Sequence, residues 1–213
     1  GNEAKGWTGG SLNTVVFLNN GSDKPQCLRR SDSLFIDLPN WPANTTCGVM
    51  RAYKNYLIAL NVVKSSTEYP TMVKWSSPAD PGEIPANDAG ENALADTGGA
   101  IVDGRKMRDS FFIYKEDSVY SMTYVGGTYV FNFRQIFDDI GALSKNSISE
   151  FNAKHFVVGQ GDVYVHNGIQ KESVIDGKMR GYLFSNIRTD AYDRLFVVPD
   201  YANTEMWVCY CST

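Results

Sequence analysis

Four times along the chain, a short apolar run is followed by a turn or longer connection and a second run carrying Tyr or Trp beside aliphatics. The pairs are 53–61 with 71–76, 109–114 with 118–122, 155–158 with 163–166, and 193–198 with 205–210. Two β-rich runs joined by a turn read as a β-hairpin. Aligned on Ile58, Ile113, Val158 and Val198, the first runs recur at intervals of 55, 45 and 40 residues. Repeats of roughly 40–50 residues, each holding about four short strands, are the signature of β-propeller blades. One such blade cannot bury both of its faces, so a neighbour must cover each. The first runs are continuously apolar rather than alternating, which fits strands covered on both faces.

The expected fold is therefore all-β, a β-propeller or part of one, with about four four-stranded antiparallel blades visible. A β-sandwich is the competing fold, because it too strings short strands between turns. Further strands are expected at 14–18, 34–38, 124–125 and 129–133, and an outer or linking strand at 181–184; 136–143 reads as a short helix or turn. Residues 1–213 are expected to form a single propeller-like domain. Residues 78–108, rich in Asp, Ala, Gly and Pro, are expected to be a long inserted loop. A loop this long without periodicity is usually functional, an assembly contact or mobile. Deleting 82–104 is expected to leave the monomer folded and to weaken assembly. The chain ends three residues after its last apolar strand, and a fragment of a longer propeller is expected, or else a four-blade body closed by 14–50.

Composition narrows the function classes. Tyr 12, Phe 11, Trp 4 and Gly 19 favour strands and turns over helices. A net charge of −4 gives no basic field of the kind that marks nucleic-acid binding. No apolar stretch approaches the ~20 residues that span a bilayer, and the first residues lack the apolar core of a signal peptide. The four cysteines, Cys27, Cys47, Cys209 and Cys211, are too sparse for a disulfide scaffold. They read as reduced structural thiols.

The candidates for chemistry are few. His155, His166, Asp162 and Asp176 lie in or near one hairpin. Asp162 and His166 are four apart on one strand, ~13 Å between Cα atoms, too far to share an ion. Asp162 is expected to shape the turn with Gly161, and His166 to be a polar strand end. Asp80, Asp88, Glu91, Asp96 and Asp103 populate the long loop without the fixed spacing of a carboxylate pair. No calcium loop, nucleophile elbow or phosphate loop is present. No catalytic, cofactor-binding or metal-ligating residue is expected, no cofactor is called for, and the chain reads as a non-enzyme. Basic residues are scattered (Arg29, Arg30, Arg105, Lys106, Arg108, Lys178, Arg180, Arg188, Arg194), and some could line a channel and meet phosphate.

The wording of several stretches resembles a known family. These are 53–61 (YKNYLIALN), 69–82 (YPTMVKWSSPADPG), 156–168 (FVVGQGDVYVHNG) and 205–210 (EMWVCY). Together they resemble the β-propeller tail proteins of short-tailed bacteriophages, the tail nozzle or tail tubular proteins and the packaged-DNA stabilisation proteins. The resemblance covers roughly residues 48–211. It implies a structural virion protein, assembled in the bacterial cytoplasm or left in a prophage. It also implies a ring of identical subunits, commonly six, next to the portal and adaptor. Such a ring forms part of the DNA conduit, helps retain the packaged genome and takes part in its ejection. The expected partners are further copies of the chain and other tail proteins, with non-specific DNA passage and no membrane span. Two other classes compete: a propeller that binds a carbohydrate or host surface, and a propeller hydrolase with acids around its axis.

Overall fold

The structure is a computed structural model that describes residues 6–79 and 89–213. Half of the chain is strand and 8% is helix, so the fold is all-β as expected. Four four-stranded antiparallel sheets follow one another along the chain, and in each the strand order equals the chain order. The first holds β1 (Thr8–Leu12), β2 (Val15–Asn19), β3 (Gln26–Leu28) and β4 (Ile36–Asp37). The second holds β5 (Thr45–Tyr53), β6 (Tyr56–Lys64), β7 (Thr67–Trp75) and β8 (Gly90–Ala93). The third holds β9 (Ile101–Met107), β10 (Ser110–Lys115), β11 (Val119–Tyr124) and β12 (Phe131–Phe137). The fourth holds β13 (Ile148–Phe151), β14 (Lys154–Val158), β15 (Val163–His166) and β16 (Lys171–Ser173). A two-stranded sheet, β17 (Phe196–Asp200) and β18 (Glu205–Cys209), comes last. The four-stranded meander is the element from which propeller blades are made.

The chain divides into two compact units, Gly1–Ile101 and Val102–Thr213. In the first, one core joins the first two sheets through Leu12, Val15, Phe17, Cys27, Cys47, Met50 and Val62. Two hydrogen bonds cross the seam: the Met50 amide donates to Thr8 Oγ1 (3.1 Å) and Asn19 Nδ2 donates to the Cys47 carbonyl (3.0 Å). In the second unit, Met107, Phe112, Tyr114, Val119, Phe137, Ile148 and Val157 form the core between the third and fourth sheets. A further cluster seats the two-stranded sheet and the only α-helix among the described residues, α1 (Gly177–Asn186), against Val158 and Val163.

The hairpin turns show how local chemistry fixes register. Three two-residue turns place both central residues in the left-handed region: Asn13 and Thr14 (φ 48° and 75°), Ser65 and Ser66 (46° and 68°), and Asn152 and Ala153 (52° and 57°). Turns of this hand match the twist of the flanking strands, and here none uses glycine. Register is thus set more by the buried runs on either side than by a turn motif.

Several expectations are corrected. The stretch 181–184, expected as a strand, lies in α1. Asp176 caps that helix by accepting from the Met179 amide (2.7 Å), and Leu183 is its buried residue. The apolar triplet there is helical because the cap satisfies an otherwise unpaired amide at the helix start. The stretch 78–108 is not a loop throughout, since β8 and β9 lie within it. Edge strand β8, Gly-Glu-Asn-Ala, has no apolar run and is held by its pairing with β7. In β9 the buried Asp103 interrupts the pattern. Residues 80–88, with Asp80 and Asp88, lie outside the described residues. The expected strand 34–38 shrinks to Ile36–Asp37, with Leu34 75% exposed. Of 136–143, Ile136 and Phe137 extend β12 rather than starting a helix.

Candidate functional site

The fourth sheet brings His155 and His166 into direct register as cross-strand partners on β14 and β15. Side chains on opposed residues of an antiparallel pair share a face. Here that face is the one packed on the third sheet, where Tyr114 of β10 meets both imidazoles. Tyr114 Oη lies 2.7 Å from His155 Nδ1 and 2.5 Å from His166 Nε2. His155 Nε2 is 3.0 Å from the Lys106 carbonyl, and His166 Nδ1 accepts from the Gly168 amide at 3.1 Å. All three side chains are buried.

These contacts fix the protons. The Gly168 amide can only donate, so His166 Nδ1 is bare and its Nε2 carries the hydrogen. The Lys106 carbonyl can only accept, so His155 Nε2 carries the hydrogen and its Nδ1 is bare. Tyr114 therefore accepts from His166 and donates to His155. The result is a one-way chain from the Gly168 amide to the Lys106 carbonyl through two neutral imidazoles and one phenol. Burial pushes His155 down to about 4, against a smaller upward pull from its hydrogen bond to Lys106. Burial, then the neighbouring His155, pushes His166 down to about 3. Burial also raises the Tyr114 phenol well above its usual range.

Such a chain ties the third and fourth sheets together through one phenol and two imidazoles. His166 forms part of the floor of a shallow depression, with Lys154 and Asn167, but both of its nitrogens are already engaged. Phe112 stands edge-on to both imidazoles, at 5.5 Å between centroids. The expectation that His166 is a polar strand end is corrected: it is 1% exposed and internally bonded.

The carboxylates do not join the histidines. Asp162 Oδ1 accepts from its neighbour's amide, that of Val163, at 2.8 Å, and from Arg180 Nη2 at 3.0 Å, tying the hairpin turn to α1. Asp176 is the cap of that helix. Glu91 sits beside Lys64 (2.5 Å) and Lys74 (3.6 Å); the hydrogen bond from Lys64 is the main reason its carboxyl is held below the usual range. Asp103 accepts from the Gly104 and Asn146 amides, fixing the turn before β13. Asp96 is exposed in the segment between β8 and β9. Among the described residues no three His, Cys, Asp or Glu side chains converge as a metal-holding group. No helix among them is long and apolar enough to cross a membrane.

An open groove of about 380 Å³ lies on the same face of the third sheet, beyond Phe112. Cross-strand rungs build its floor: Ser110, Thr123 and Asn132 form one, and Phe112, Ser121 and Arg134 the next. Arg108, at the β9–β10 turn, and the segment Asn167, Gly168 and Ile169 line its sides. Neither this groove nor the bridging role of Tyr114 is legible in the sequence, because both depend on partners from other strands. The one available sign was that Tyr114 belongs to a fully apolar run and must bury a hydroxyl.

Comparison with protein-family models gives no match to this chain, and comparison with curated proteins gives none.

Proposed function

We propose that the chain is a structural component of a short-tailed bacteriophage tail, of the nozzle or packaged-DNA-stabilising kind. It forms a ring with further copies of itself and contributes to the wall of the DNA conduit. The observation that carries this reading is the fate of the two histidines. Together with Tyr114 they are the group that most resembles a reaction centre, and they are consumed in a closed sheet-to-sheet clamp.

Other features agree. The stretches that resemble the tail proteins contribute strands to the hairpins β6–β7, β14–β15 and β17–β18, so the resemblance falls on the parts that define the sheets. A wall element needs stiffness, and buried hydrogen-bonded networks supply it. Rings need heterologous contacts, which non-catalytic surfaces are free to provide. In this reading the chain has no catalytic step, and DNA passes it without sequence-specific contact.

The test is assembly. The purified chain is examined by mass photometry and negative-stain electron microscopy, alone and with a portal–adaptor complex encoded beside its gene. Closed rings, or a ring added to the complex, support the proposal. A chain that stays monomeric in both settings overturns it.

A further inference from the structure

We propose that the groove on the β10–β12 face is a binding site for an acidic saccharide. Arg108 and Arg134 take its carboxylates, and the Ser110–Thr123–Asn132 rung takes its hydroxyls. This goes beyond the tail-wall reading and does not rest on it.

The first argument is the change of character along one sheet face. Alternate residues of a strand share a face. Tyr114, Val119 and Phe137 form an apolar rung covered by the fourth sheet, then come Phe112, Ser121 and Arg134, then Ser110, Thr123 and Asn132. The face thus turns from a packed core into a floor of hydroxyl, amide and guanidinium groups where the covering sheet ends. Among the described residues, the side chains of Ser110, Thr123 and Asn132 make no hydrogen bond to protein, so their donors and acceptors are open to a ligand. Ser121 Oγ donates to the Arg134 carbonyl (3.2 Å), leaving its own lone pairs to accept.

The second argument is charge. Four other arginines of the chain sit beside aspartates: Arg29 with Asp32, Arg105 with Asp103, Arg180 with Asp162 and Arg188 with Asp190. Arg108 and Arg134 have no such partner among the described residues, and no carboxylate lines the groove. In a chain of net charge −4, two unpaired guanidiniums over one cleft are a local anion preference.

The third argument is shape. The volume is in the range of about 300–1,000 Å³ typical of small-ligand sites. Ile169, 81% exposed, supplies apolar surface for the C–H face of a sugar ring. The rim at Asn167 is rigid: its Oδ1 accepts from the Ile169 and Gln170 amides at 2.9 and 2.8 Å, which leaves its Nδ2 to donate outward. A nucleic acid would want exposed aromatic stacking platforms, and the one aromatic in the lining, Phe112, is 5% exposed. A peptide would add along a strand edge, whereas this lining is a sheet face.

The experiment is isothermal titration of the intact chain with tetragalacturonate. Maltotetraose serves as the neutral saccharide, and an eight-nucleotide single-stranded DNA as the competing polyanion. The variants are Arg134→Gln, on an exposed strand position, and Arg108→Asn, since Asn tolerates the φ of +54° found there. Arg30→Gln, in the other compact unit, is the control. Saturable binding of tetragalacturonate is expected, weakened about tenfold or more by either groove variant, unchanged in the control, and absent for maltotetraose. No saturable binding, binding unaffected by both groove variants, or DNA binding at these arginines in place of saccharide overturns the proposal. Thermal melting of each variant confirms that it is folded. Ring formation is scored separately on the same samples, so failure of either reading is seen independently of the other.

Discussion

His155 and His166 face each other across the β14–β15 hairpin, and the Tyr114 hydroxyl sits between them, 2.7 Å from one imidazole and 2.5 Å from the other. Tyr114 is 41 and 52 residues away in sequence, so this contact closes long loops and ties two sheets at one atom. Its geometry lets each of the four ring nitrogens and the phenol meet its hydrogen-bond need without any charge. Removing the hydroxyl alone therefore strands two polar atoms at once.

The Tyr114→Phe variant keeps the ring in the core and deletes only the oxygen. His155 Nδ1 then loses its donor and His166 Nε2–H its acceptor. An unsatisfied buried polar group costs about 1–3 kcal/mol, so the variant should lose about 2–4 kcal/mol. Urea denaturation at pH 7 measures this directly. A loss below about 0.5 kcal/mol would show that the hydroxyl does not bridge the pair.

The same pair sets a pH dependence. Both histidines titrate lower in the fold, at about 4 and about 3, than in the unfolded chain, where about 6.5 is normal. Between those values the unfolded state binds protons that the folded state refuses. Stability is thus full above pH 6.5 and falls as pH drops below it, by up to about 1.4 kcal/mol per pH unit for each histidine. The chain has only two histidines, so the window from pH 7 to 5 isolates them from the carboxylates, which ionise lower. Urea midpoints should decline between pH 7 and pH 5; equal midpoints would contradict neutral, buried imidazoles.

How much of this was legible depends on the kind of strand. Central strands such as β6 and β10 are buried on both faces, and their apolar runs announced them. Several edge strands did not, or did so only loosely. β8 has no apolar stretch, β4 is two residues long, and β16 is exposed throughout, because an edge is held by backbone pairing rather than by side-chain burial. The first sheet was seen only at β2 and, over too long a span, at β4; β1 was missed because it contains Gly9 and Gly10 and its turn at Asn13 and Thr14 lacks glycine. Helix α1 was misread because Tyr182, Leu183 and Phe184 look strand-like, while the decisive signal was the cap at Asp176. Of the candidate site, the two histidines were visible and their hairpin was placed correctly. Their common partner Tyr114 was hidden by sequence distance.

Gly168 links the clamp to the groove on the β10–β12 face. Its φ is +91°, and a Cβ there would lie 2.9 Å from Phe112 Cζ, while its amide holds His166 Nδ1. A Gly168→Ala substitution must strain the backbone and push the Phe112 ring at once. It should cost about 1–3 kcal/mol and loosen the amide-to-imidazole bond. Faster hydrogen exchange at the Gly168–Gln170 amides in a chain that still folds is the expected signature. Unchanged exchange and an unchanged urea midpoint would mean that the turn has slack.

Deletion of 82–104 tests the corrected view of the long segment. As a loop it should be dispensable. Instead it contains β8, which pairs with β7 from Met72↔Ala93 to Trp75↔Gly90, and Leu94, which is 2% exposed and donates its amide to the Thr71 carbonyl (2.9 Å). It also contains Ile101, whose carbonyl accepts from Asn61 Nδ2 at the bulge of β6 (3.1 Å). Removing it exposes the edge of β7 and leaves buried Lys74 without the Glu91 carboxylate beside it. The first unit should therefore lose several kcal/mol or aggregate, rather than merely assemble less well. A deleted chain that melts with the parent and stays monodisperse in sedimentation would restore the loop interpretation.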